Sequence, residues 1–237
     1  MKTLLVLAGG FGTRLRGLVS DVPKPLAPVS GKPFIVHLIE RWVEQGVKEF
    51  VFLLHFESYL IEHVLRDISK TECFRDIKIN VIVEEKPLGT GGSVWHAIKT
   101  LGITEYFLVV NADTWLSKGI SEINNSLPNT IGAVEANDCS RYGALVVNDG
   151  IVQEFLEKSE SVGEGLINAG MYHLSPSIFE DCPENSSFSL ESKIFPNVIK
   201  NGILGVVEMD ADFIDIGVPE DYLKFCRWME LGEKFER

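Results

Sequence analysis

The sequence has no hydrophobic run long enough to cross a bilayer. Its N-terminal apolar stretch, Thr3–Leu7, is followed almost at once by Gly9 and Gly10, whereas a membrane-spanning helix needs about 20 apolar residues. The same stretch is too short for the hydrophobic part of a secretory signal. We therefore expect a cytoplasmic protein without a membrane partner, and we interpret the stretch as a buried first strand.

Cysteine and positive charge are also scarce. The four cysteines, at positions 73, 139, 182 and 226, include no C-x-x-C pair and no cysteine-histidine cluster, so a zinc site is not expected. Acidic residues outnumber basic ones by 34 to 22, giving a formal net charge of −12. Nucleic acid is therefore not an expected partner. Any phosphate must be bound locally, by backbone N–H groups, a few cationic side chains and a metal ion.

The remaining composition is that of a globular protein, and the first half predicts an α/β fold. Apolar strands alternate there with helical segments, which predicts right-handed crossovers and a Rossmann-like, mainly parallel mixed sheet flanked by helices. The predicted strands are Thr3–Leu7, Glu49–Leu54, Lys78–Val83 and Tyr106–Val110, and the predicted helices run from Pro33 to Gly46, over Ser58–Arg66 and over Ser93–Leu101.

The second half is richer in strands and predicts an inserted, strand-rich subregion. No linker divides the halves, so residues 1–237 are expected to form a single domain. The strands predicted here are Ile131–Glu135, Ala144–Val147, Val152–Glu157, Ile167–Leu174 and Leu204–Met209, and the helices are Leu190–Lys200 and Pro219–Leu231.

A glycine-rich segment after the first strand predicts a phosphate-binding loop. It reads L-A-G-G-F-G-T-R-L over residues 7–15 and is followed by P-K-P-L at 23–26. Glycine lets the backbone approach a ligand and point N–H groups at phosphate oxygens. Arg14 adds a bidentate fork, and Lys24 adds a compact charge between two prolines. The expected nucleotide contacts in this segment are Leu7, Ala8, Gly9, Gly10, Gly12 and Thr13.

The spacing of this segment excludes two familiar nucleotide loops. A Walker loop needs Lys-Ser/Thr where Thr13 and Arg14 stand, and a dinucleotide fingerprint needs a small residue where Leu15 stands. A Rossmann-type oxidoreductase is therefore disfavoured.

Asp113 and Asp215 are the carboxylates that the pattern singles out. Asp113 follows the fourth predicted strand at its carboxyl end, where open sheets bind their ligands. Asp215 lies between apolar residues in a predicted strand, F-I-D-I-G, so its burial calls for a cationic partner. A capping role for Asp113 and a structural role for Asp215 stay open at this point. Glu220 and Asp221 are interpreted as first-turn acids of the last helix.

The segments G-G-F-G-T-R-L and P-K-P-L resemble the signature loop of sugar-1-phosphate nucleotidylyltransferases, the enzymes that make nucleotide sugars. Six further family-like segments follow in family order along nearly the whole chain. They are P-L-G-T-G-G at 87–92, N-A-D at 111–113, Y-G-A-L at 142–145, E-K followed by I-N-A-G-M-Y at 157–158 and 167–172, and F-I-D-I-G-V-P-E-D-Y at 213–222.

The resemblance implies the nucleotide-diphospho-sugar transferase fold, Mg²⁺ as the cofactor, and roles for individual residues. Asp113 and Asp215 together would hold the magnesium ion, which prefers hard oxygen ligands. Arg14, Lys24 and Asp113 would be catalytic. The contacts implied for the sugar phosphate are Asn111, Gly143, Glu157, Lys158 and Asn168.

The base is expected beside the second glycine-rich segment. A carboxylate accepts two hydrogen bonds well, and guanine offers two adjacent N–H donors where uracil and thymine offer one. Glu84 or Glu85 could read guanine, or both could be solvated, and the sequence does not distinguish these cases. GTP is therefore favoured. Further nucleotide contacts are expected from Pro87, Gly89 and Thr90.

Within the family, the sequence is most similar to D-glycero-α-D-manno-heptose 1-phosphate guanylyltransferases. The similarity rests on L-I-N-A-G-M-Y, F-S-L-E at 188–191 and F-I-D-I-G-V-P-E-D-Y. It implies formation of GDP-heptose and pyrophosphate for a bacterial surface glycan. A uridylyltransferase for N-acetylmuramate 1-phosphate, a guanylyltransferase for mannose 1-phosphate and a non-catalytic nucleotide-sugar sensor remain alternatives. Relatives are often dimers or tetramers, so a homo-oligomer is an open expectation.

Overall fold

A nine-stranded mixed sheet runs through the computed structural model, which describes residues 3–10, 15, 18–19, 22–156 and 163–232. The strands are β1 (Leu4–Leu7), β2 (Pro28–Val29), β3 (Lys32–Pro33), β4 (Glu49–Leu54), β5 (Lys78–Val83), β6 (Phe107–Asn111), β7 (Thr114–Leu116), β8 (Thr130–Ala136), β9 (Ala144–Asn148), β10 (Ile151–Leu156), β11 (Gly165–Leu174), β12 (Gly205–Glu208) and β13 (Phe213–Asp215). The helices are α1 (Phe34–Glu44), α2 (Ser58–Ile68), α3 (Gly89–Leu101), α4 (Ile120–Asn125), α5 (Phe195–Lys200) and α6 (Pro219–Leu231). Short helical turns occur at Lys24–Leu26, Glu72–Phe74, Pro176–Phe179 and Leu190–Ile194.

The strand order of the large sheet is β5-β4-β1-β6-β11-β8-β12-β10-β9. Strands β5, β4, β1 and β6 are parallel neighbours, as the alternation in the first half predicts. Strand β11 pairs antiparallel with both β6 and β8, and β9 and β10 form an antiparallel pair at the far edge. The Rossmann-like mixed sheet with a strand-rich insertion is therefore confirmed. Two small sheets, β2-β3 and β7-β13, lie outside the large one.

Two apolar layers cover the two faces of the sheet. Successive residues of β1 point to opposite faces, so Leu4 and Val6 pack in one layer and Leu5 in the other. Helices α1, α2, α4 and α6 contribute to the first layer, and α3 and α5 to the second. Coverage on both faces explains why the parallel strands are continuous apolar runs. None of the helices in the described ranges combines the length and apolarity that crossing a bilayer requires.

Most predicted elements are present, and three local predictions need correction. Pro33 was predicted as the first helical residue, but it is extended and pairs in β3 before α1 begins at Phe34. The predicted helix from Ser93 begins earlier, at Gly89, so part of the second glycine-rich segment is helical. The predicted helix Leu190–Lys200 opens with a π-helical turn before α5. The β7-β13 pair and α4 were not predicted, because each is short.

The first turn of α3 contains glycine because another segment of backbone packs directly against it. The carbonyl of Phe188 accepts hydrogen bonds from the N–H groups of Gly91 and Gly92, at 3.0 and 3.1 Å. A Cβ atom on Gly92 would lie 2.5 Å from the carbonyl oxygen of Ser186, and one on Gly91 would lie 2.5 Å from the Phe188 ring. Tertiary packing thus overrides the low helix propensity of glycine.

We expect Gly92→Ala to destabilise the fold by about 1–3 kcal/mol, because the added methyl group would meet rigid backbone. Equilibrium urea unfolding of the full chain measures this free energy. Thr100→Ala on the exposed face of the same helix is the matched control, and it should change the free energy of unfolding by less than about 0.5 kcal/mol. Equal stability of the two variants would show that the packing is not restrictive.

Candidate active site

A cavity of about 380 Å³ opens at the ends of β1 and β6. These strands are adjacent and parallel, and the N–H of Ala112 donates to the carbonyl of Leu7 at 3.0 Å, so both strands end at one edge of the sheet. The predicted residues that line the cavity are Leu7, Ala8, Gly9, Gly10, Lys24, Glu84, Pro87, Gly89, Thr90, Asn111 and Asp113. The lining residues that the sequence did not single out are Pro25, Ser93, Ala112 and Gly217.

Lys24 lies between the two predicted metal ligands. Its Nζ donates to Asp113 Oδ2 at 2.7 Å and to Asp215 Oδ1 at 3.3 Å. Lys24 belongs to the Lys24–Leu26 turn, and its side chain is only 12% exposed. The structure therefore brings together three residues that are far apart in the sequence.

The small β7-β13 sheet carries Asp215 to Asp113. Asp215 is opposite Thr114 in this antiparallel pair, and Thr114 directly follows Asp113. The N–H of Ile216 also donates to the carbonyl of Asp113 at 3.0 Å. Gly217 completes the turn, and a Cβ atom there would lie 2.8 Å from Asp215 Oδ1 and 3.1 Å from Lys24 Nζ. A side chain at position 217 would therefore displace the Asp215 carboxylate or the Lys24 ammonium.

The charges in this cluster do not balance. Burial and the negative charge of Asp113 raise the pKa of Asp215, while Lys24 and the N–H of Gly217 lower it. Two carboxylates and one ammonium leave an excess of one negative charge, which a divalent cation would more than offset. No cluster of three or more potential metal-ligating side chains occurs among the residues described. Two hard oxygen ligands nevertheless fit an ion such as Mg²⁺, which usually takes only one or two from protein.

The structure distinguishes Glu84 from Glu85. Glu84 is 6% exposed and lines the cavity, where its carboxylate accepts hydrogen bonds from the N–H of Leu88, at 3.0 Å, and from the Ser93 hydroxyl. Glu85 is exposed and is not among the cavity-lining residues. Glu84 therefore fixes the start of α3, and each of its oxygens keeps a second lone pair for another donor.

Asn168 lies on β11, next to an irregularity in the pairing with β8. Its Oδ1 accepts from the N–H of Gly170 and its Nδ2 donates to the Tyr172 hydroxyl, both at 2.9 Å. Gly170 has φ +68°, and a Cβ atom there would lie 2.7 Å from the amide nitrogen of Asn111. The two predicted sugar-phosphate contacts on β6 and β11 are therefore close together.

A hydrogen-bond chain links Asn168 to the first turn of α3. The buried Tyr172 hydroxyl is 3.5 Å from Glu191 Oε1, and Glu191 Oε2 accepts from Thr90 at 3.1 Å and from Ser189 at 2.7 Å. Burial and the charge of Glu191 raise the pKa of Tyr172, so the phenol stays protonated. The sequence reasoning assigned no role to Tyr172 or Glu191, although both stand in family-like segments.

The remaining predicted residues are only partly located. Gly143 lies just before β9 with φ +80°, and its N–H donates to the carbonyl of Cys139 at 2.9 Å. The residues predicted to contact phosphate or sugar that lie outside the described residues are Gly12, Thr13, Arg14, Glu157 and Lys158. Their roles stay predictions.

Comparison with known proteins places this geometry in a family. The family described as Nucleotidyl transferase matches residues 3–230. The chain belongs to this family. The predicted reaction class, transfer of a nucleotide to a sugar 1-phosphate, is thereby confirmed, and so is the resemblance drawn from the motifs.

Several relatives are similar over nearly the whole chain. D-glycero-α-D-manno-heptose 1-phosphate guanylyltransferase of Campylobacter jejuni is 34% identical over 93% of this chain and 97% of its own length. The crystal structure of HddC from Yersinia pseudotuberculosis complexed with GMP-PN is 37% identical, with a TM-score of 0.83, and the match covers 97% of this chain and 100% of that one. A probable mannose-1-phosphate guanylyltransferase of Oryza sativa is 35% identical over 94% of this chain but only 63% of its own length.

More distant structures share only the fold. A putative glucose-1-phosphate thymidylyltransferase from Bacillus anthracis has a TM-score of 0.80 and 17% identity. The predicted nucleotide-diphospho-sugar transferase fold is therefore confirmed.

We expect Asp215→Asn to raise the thermal unfolding midpoint in the absence of divalent ions. The raised pKa of Asp215 means that the folded state binds its proton more tightly than the unfolded chain, so ionised Asp215 at pH 7 costs folding free energy. A neutral side chain of the same shape removes this cost. The midpoint, measured by calorimetry with a chelator, should rise by about 2 °C.

Asp67→Asn on α2 is the control for this substitution. Asp67 is an exposed carboxyl whose pKa is lowered, mainly by a hydrogen bond from Lys70, so loss of its charge should leave the midpoint unchanged or slightly lower. A clear fall in the midpoint of Asp215→Asn would contradict the repulsion between Asp113 and Asp215.

Proposed function

We propose that the protein transfers GMP from GTP to D-glycero-α-D-manno-heptose 1-phosphate, forming GDP-heptose and pyrophosphate, with residues 1–237 working as a single domain. The observation that carries the proposal is the convergence of Lys24, Asp113 and Asp215 beside the cavity at the ends of β1 and β6. A cation-binding pair and an ammonium beside a glycine-rich backbone are what a triphosphate requires.

The choice of guanine and heptose is supported by Glu84 and by the length of the chain. The Glu84 carboxylate lines the cavity and retains lone pairs toward which the two N–H donors of guanine could point. The heptose 1-phosphate guanylyltransferase of Campylobacter jejuni is matched over 97% of its length, whereas the Oryza sativa relative named for mannose 1-phosphate is matched over 63%. Mannose 1-phosphate is therefore the second candidate.

The sugar phosphate provides its own nucleophile, an ionised oxygen that attacks the α-phosphorus in line with departing pyrophosphate. Little general-base work is needed, so catalysis depends on positioning and on neutralising negative charge. Lys24 and Arg14 would bind the triphosphate, and Lys158 would bind the sugar phosphate. Asn111, Gly143, Glu157 and Asn168 would orient the sugar.

Asp113 and Asp215 would hold Mg²⁺ at the edge of the sheet. The ion would offset the charge that accumulates on the phosphate oxygens when the two substrates meet. Lys24 contributes the only other positive charge that the described residues place within hydrogen-bond distance of these two carboxylates. It is therefore the side chain of this cluster that we assign to the triphosphate.

A substrate panel tests the function. The purified protein is incubated with GTP, UTP, CTP, ATP or dTTP and with heptose, mannose or N-acetylmuramate 1-phosphate, and pyrophosphate release is measured. We expect kcat/KM to be greatest for GTP with heptose 1-phosphate. A preference for UTP with N-acetylmuramate 1-phosphate would reject the guanine assignment. The absence of turnover with every pair would favour the nucleotide-sugar sensor.

Substitution of the metal and phosphate contacts tests the roles of individual residues. Asp113→Asn should abolish pyrophosphate release with little loss of stability, because it removes a ligand charge but keeps the shape of the side chain. Lys24→Ala should lower kcat by a factor on the order of 10²–10³, similar to the loss of one oxyanion donor. The surface variant Asp67→Asn should retain wild-type turnover. Wild-type rates in purified Asp113→Asn would refute the metal assignment.

A further inference from the structure

Arg141 and Asp221 form a bidentate ion pair between segments that are 80 residues apart in the sequence. Arg141 Nη1 donates to Asp221 Oδ1 at 3.2 Å, and Nη2 donates to Oδ2. The Asp221 side chain is 12% exposed. Exposed ion pairs contribute little to stability, but a bidentate pair with one partner buried fixes the geometry of both segments.

The role predicted for Asp221 from the sequence does not explain its burial. An acid in the first turn of a helix interacts favourably with the helix dipole even when it is exposed. Glu220, the neighbouring first-turn acid, is exposed. Asp221 instead turns inward and accepts both hydrogen bonds from Arg141. The burial of Asp221 therefore indicates a role beyond its interaction with the helix dipole.

On one side, the ion pair adjoins the turn that precedes β9. The N–H groups of Tyr142 and Gly143 both donate to the carbonyl of Cys139, at 3.0 and 2.9 Å. Gly143, two residues after Arg141, adopts φ +80°. This turn presents the backbone of Gly143, which the proposed function assigns to the sugar.

Tyr142 connects the same turn to the strand that bears Asp215. Its ring meets the edge of Phe213 with 5.5 Å between ring centroids, and its hydroxyl is 3.5 Å from Asp221 Oδ2. Burial is the main cause that raises the pKa of Tyr142 to about 12, and the charges of Asp221 and Asp215 add to it. The turn therefore packs against both the strand that bears Asp215 and the start of α6.

On the other side, the ion pair contacts the first turn of α6, where Asp221 stands six residues after Asp215. The position of α6 is fixed independently, because the Tyr222 hydroxyl donates to the carbonyl of Pro28, just after the Lys24–Leu26 turn. Asp221 thus lies beside a residue that is hydrogen-bonded to Pro28, and it follows Asp215 closely in the chain.

We propose that Arg141 and Asp221 are positioning residues, which hold the Gly143 turn against the Asp215 segment and so set the affinity for the sugar 1-phosphate. The inference rests on the proposed function, because that function gives the turn its ligand. Neither side chain needs to touch the substrate. Loss of the pair should release the turn while Lys24, Asp113 and the nucleotide cavity stay in place.

The test uses Asp221→Asn and Arg141→Lys in the full chain, with pyrophosphate release measured at saturating GTP and varied heptose 1-phosphate. We expect KM for the sugar phosphate to rise by about tenfold, with kcat within about threefold and KM for GTP unchanged. Arg141→Lys keeps the charge but loses the fork, so it also serves as the milder variant if Asp221→Asn folds poorly. The double variant should be no worse than the more affected single one, because both remove one interaction.

Glu49→Gln is the matched control. It removes another ion pair, between the exposed side chains of Glu49 and Lys78 at 2.6 Å. Both residues stand at the starts of the parallel strands β4 and β5, at the end of the sheet opposite the cavity. Its kinetic constants should equal those of the wild type. A fall in kcat with unchanged KM for the sugar phosphate in the Arg141 and Asp221 variants would overturn the proposal.

Amide hydrogen exchange gives a second readout that does not depend on turnover. In Asp221→Asn, residues 139–148 should exchange at least about tenfold faster than in the wild type, whereas α3 keeps its protection. Unchanged exchange in this turn would overturn the proposal even if kinetics changed. If the wild type released no pyrophosphate with any sugar phosphate, the proposed function would fail, and exchange would still decide whether the pair holds the turn.

Discussion

The active site depends on two aspartates that the fold holds side by side against their mutual repulsion. Asp113 ends a central strand, but Asp215 reaches it only through the short β7-β13 sheet and the hydrogen bond from Ile216 to the carbonyl of Asp113. Lys24 offsets part of the repulsion, and Gly217 leaves the space that this cluster needs. A few backbone hydrogen bonds outside the large sheet thus bring two carboxylates and an ammonium group together at the edge of the cavity.

The two sides of the site are also connected through neutral hydrogen bonds. Tyr172 receives the amide of Asn168 and faces Glu191, which in turn binds Thr90 at the start of α3. The strand that is assigned to the sugar is therefore tied to the helix that borders the nucleotide cavity. A buried, protonated phenol suits this position, because it can accept from the amide and donate to the carboxylate at the same time.

Local sequence pattern predicts strands β4 and β5 and the last helix well. Glu49–Leu54, Lys78–Val83 and Pro219–Leu231 have the predicted bounds, because apolar runs and turn residues act over a few positions. The sequence of β5 did not distinguish Glu84 from Glu85, whereas burial in the structure does. Ile82 is buried, Val83 exposed and Glu84 buried, so the alternation of β5 continues for one residue beyond the strand and points Glu84 inward.

Features that depend on distant parts of the chain were not predictable from pattern alone. Strands β7 and β13 are only three residues long. No local pattern indicates that Asp221 pairs with Arg141. Pro33 was misplaced because its fixed φ suits both a strand and a first helical turn. The single-domain organisation and the roles of the individual site residues stay predictions.

The packing of Phe188 against the first turn of α3 changes how variants of the G-T-G-G segment should be interpreted. Side chains at positions 91 and 92 would meet residues 186–189 and not a ligand. Loss of activity in a variant at either position should therefore be interpreted first as a folding defect. Glycine in a nucleotide-binding family invites a chemical explanation, yet two of these glycines are kept small by a neighbouring stretch of the same chain. Invariant glycine at positions 91 and 92 would therefore indicate close packing against residues 186–189. Catalytic importance would have to be established from other residues.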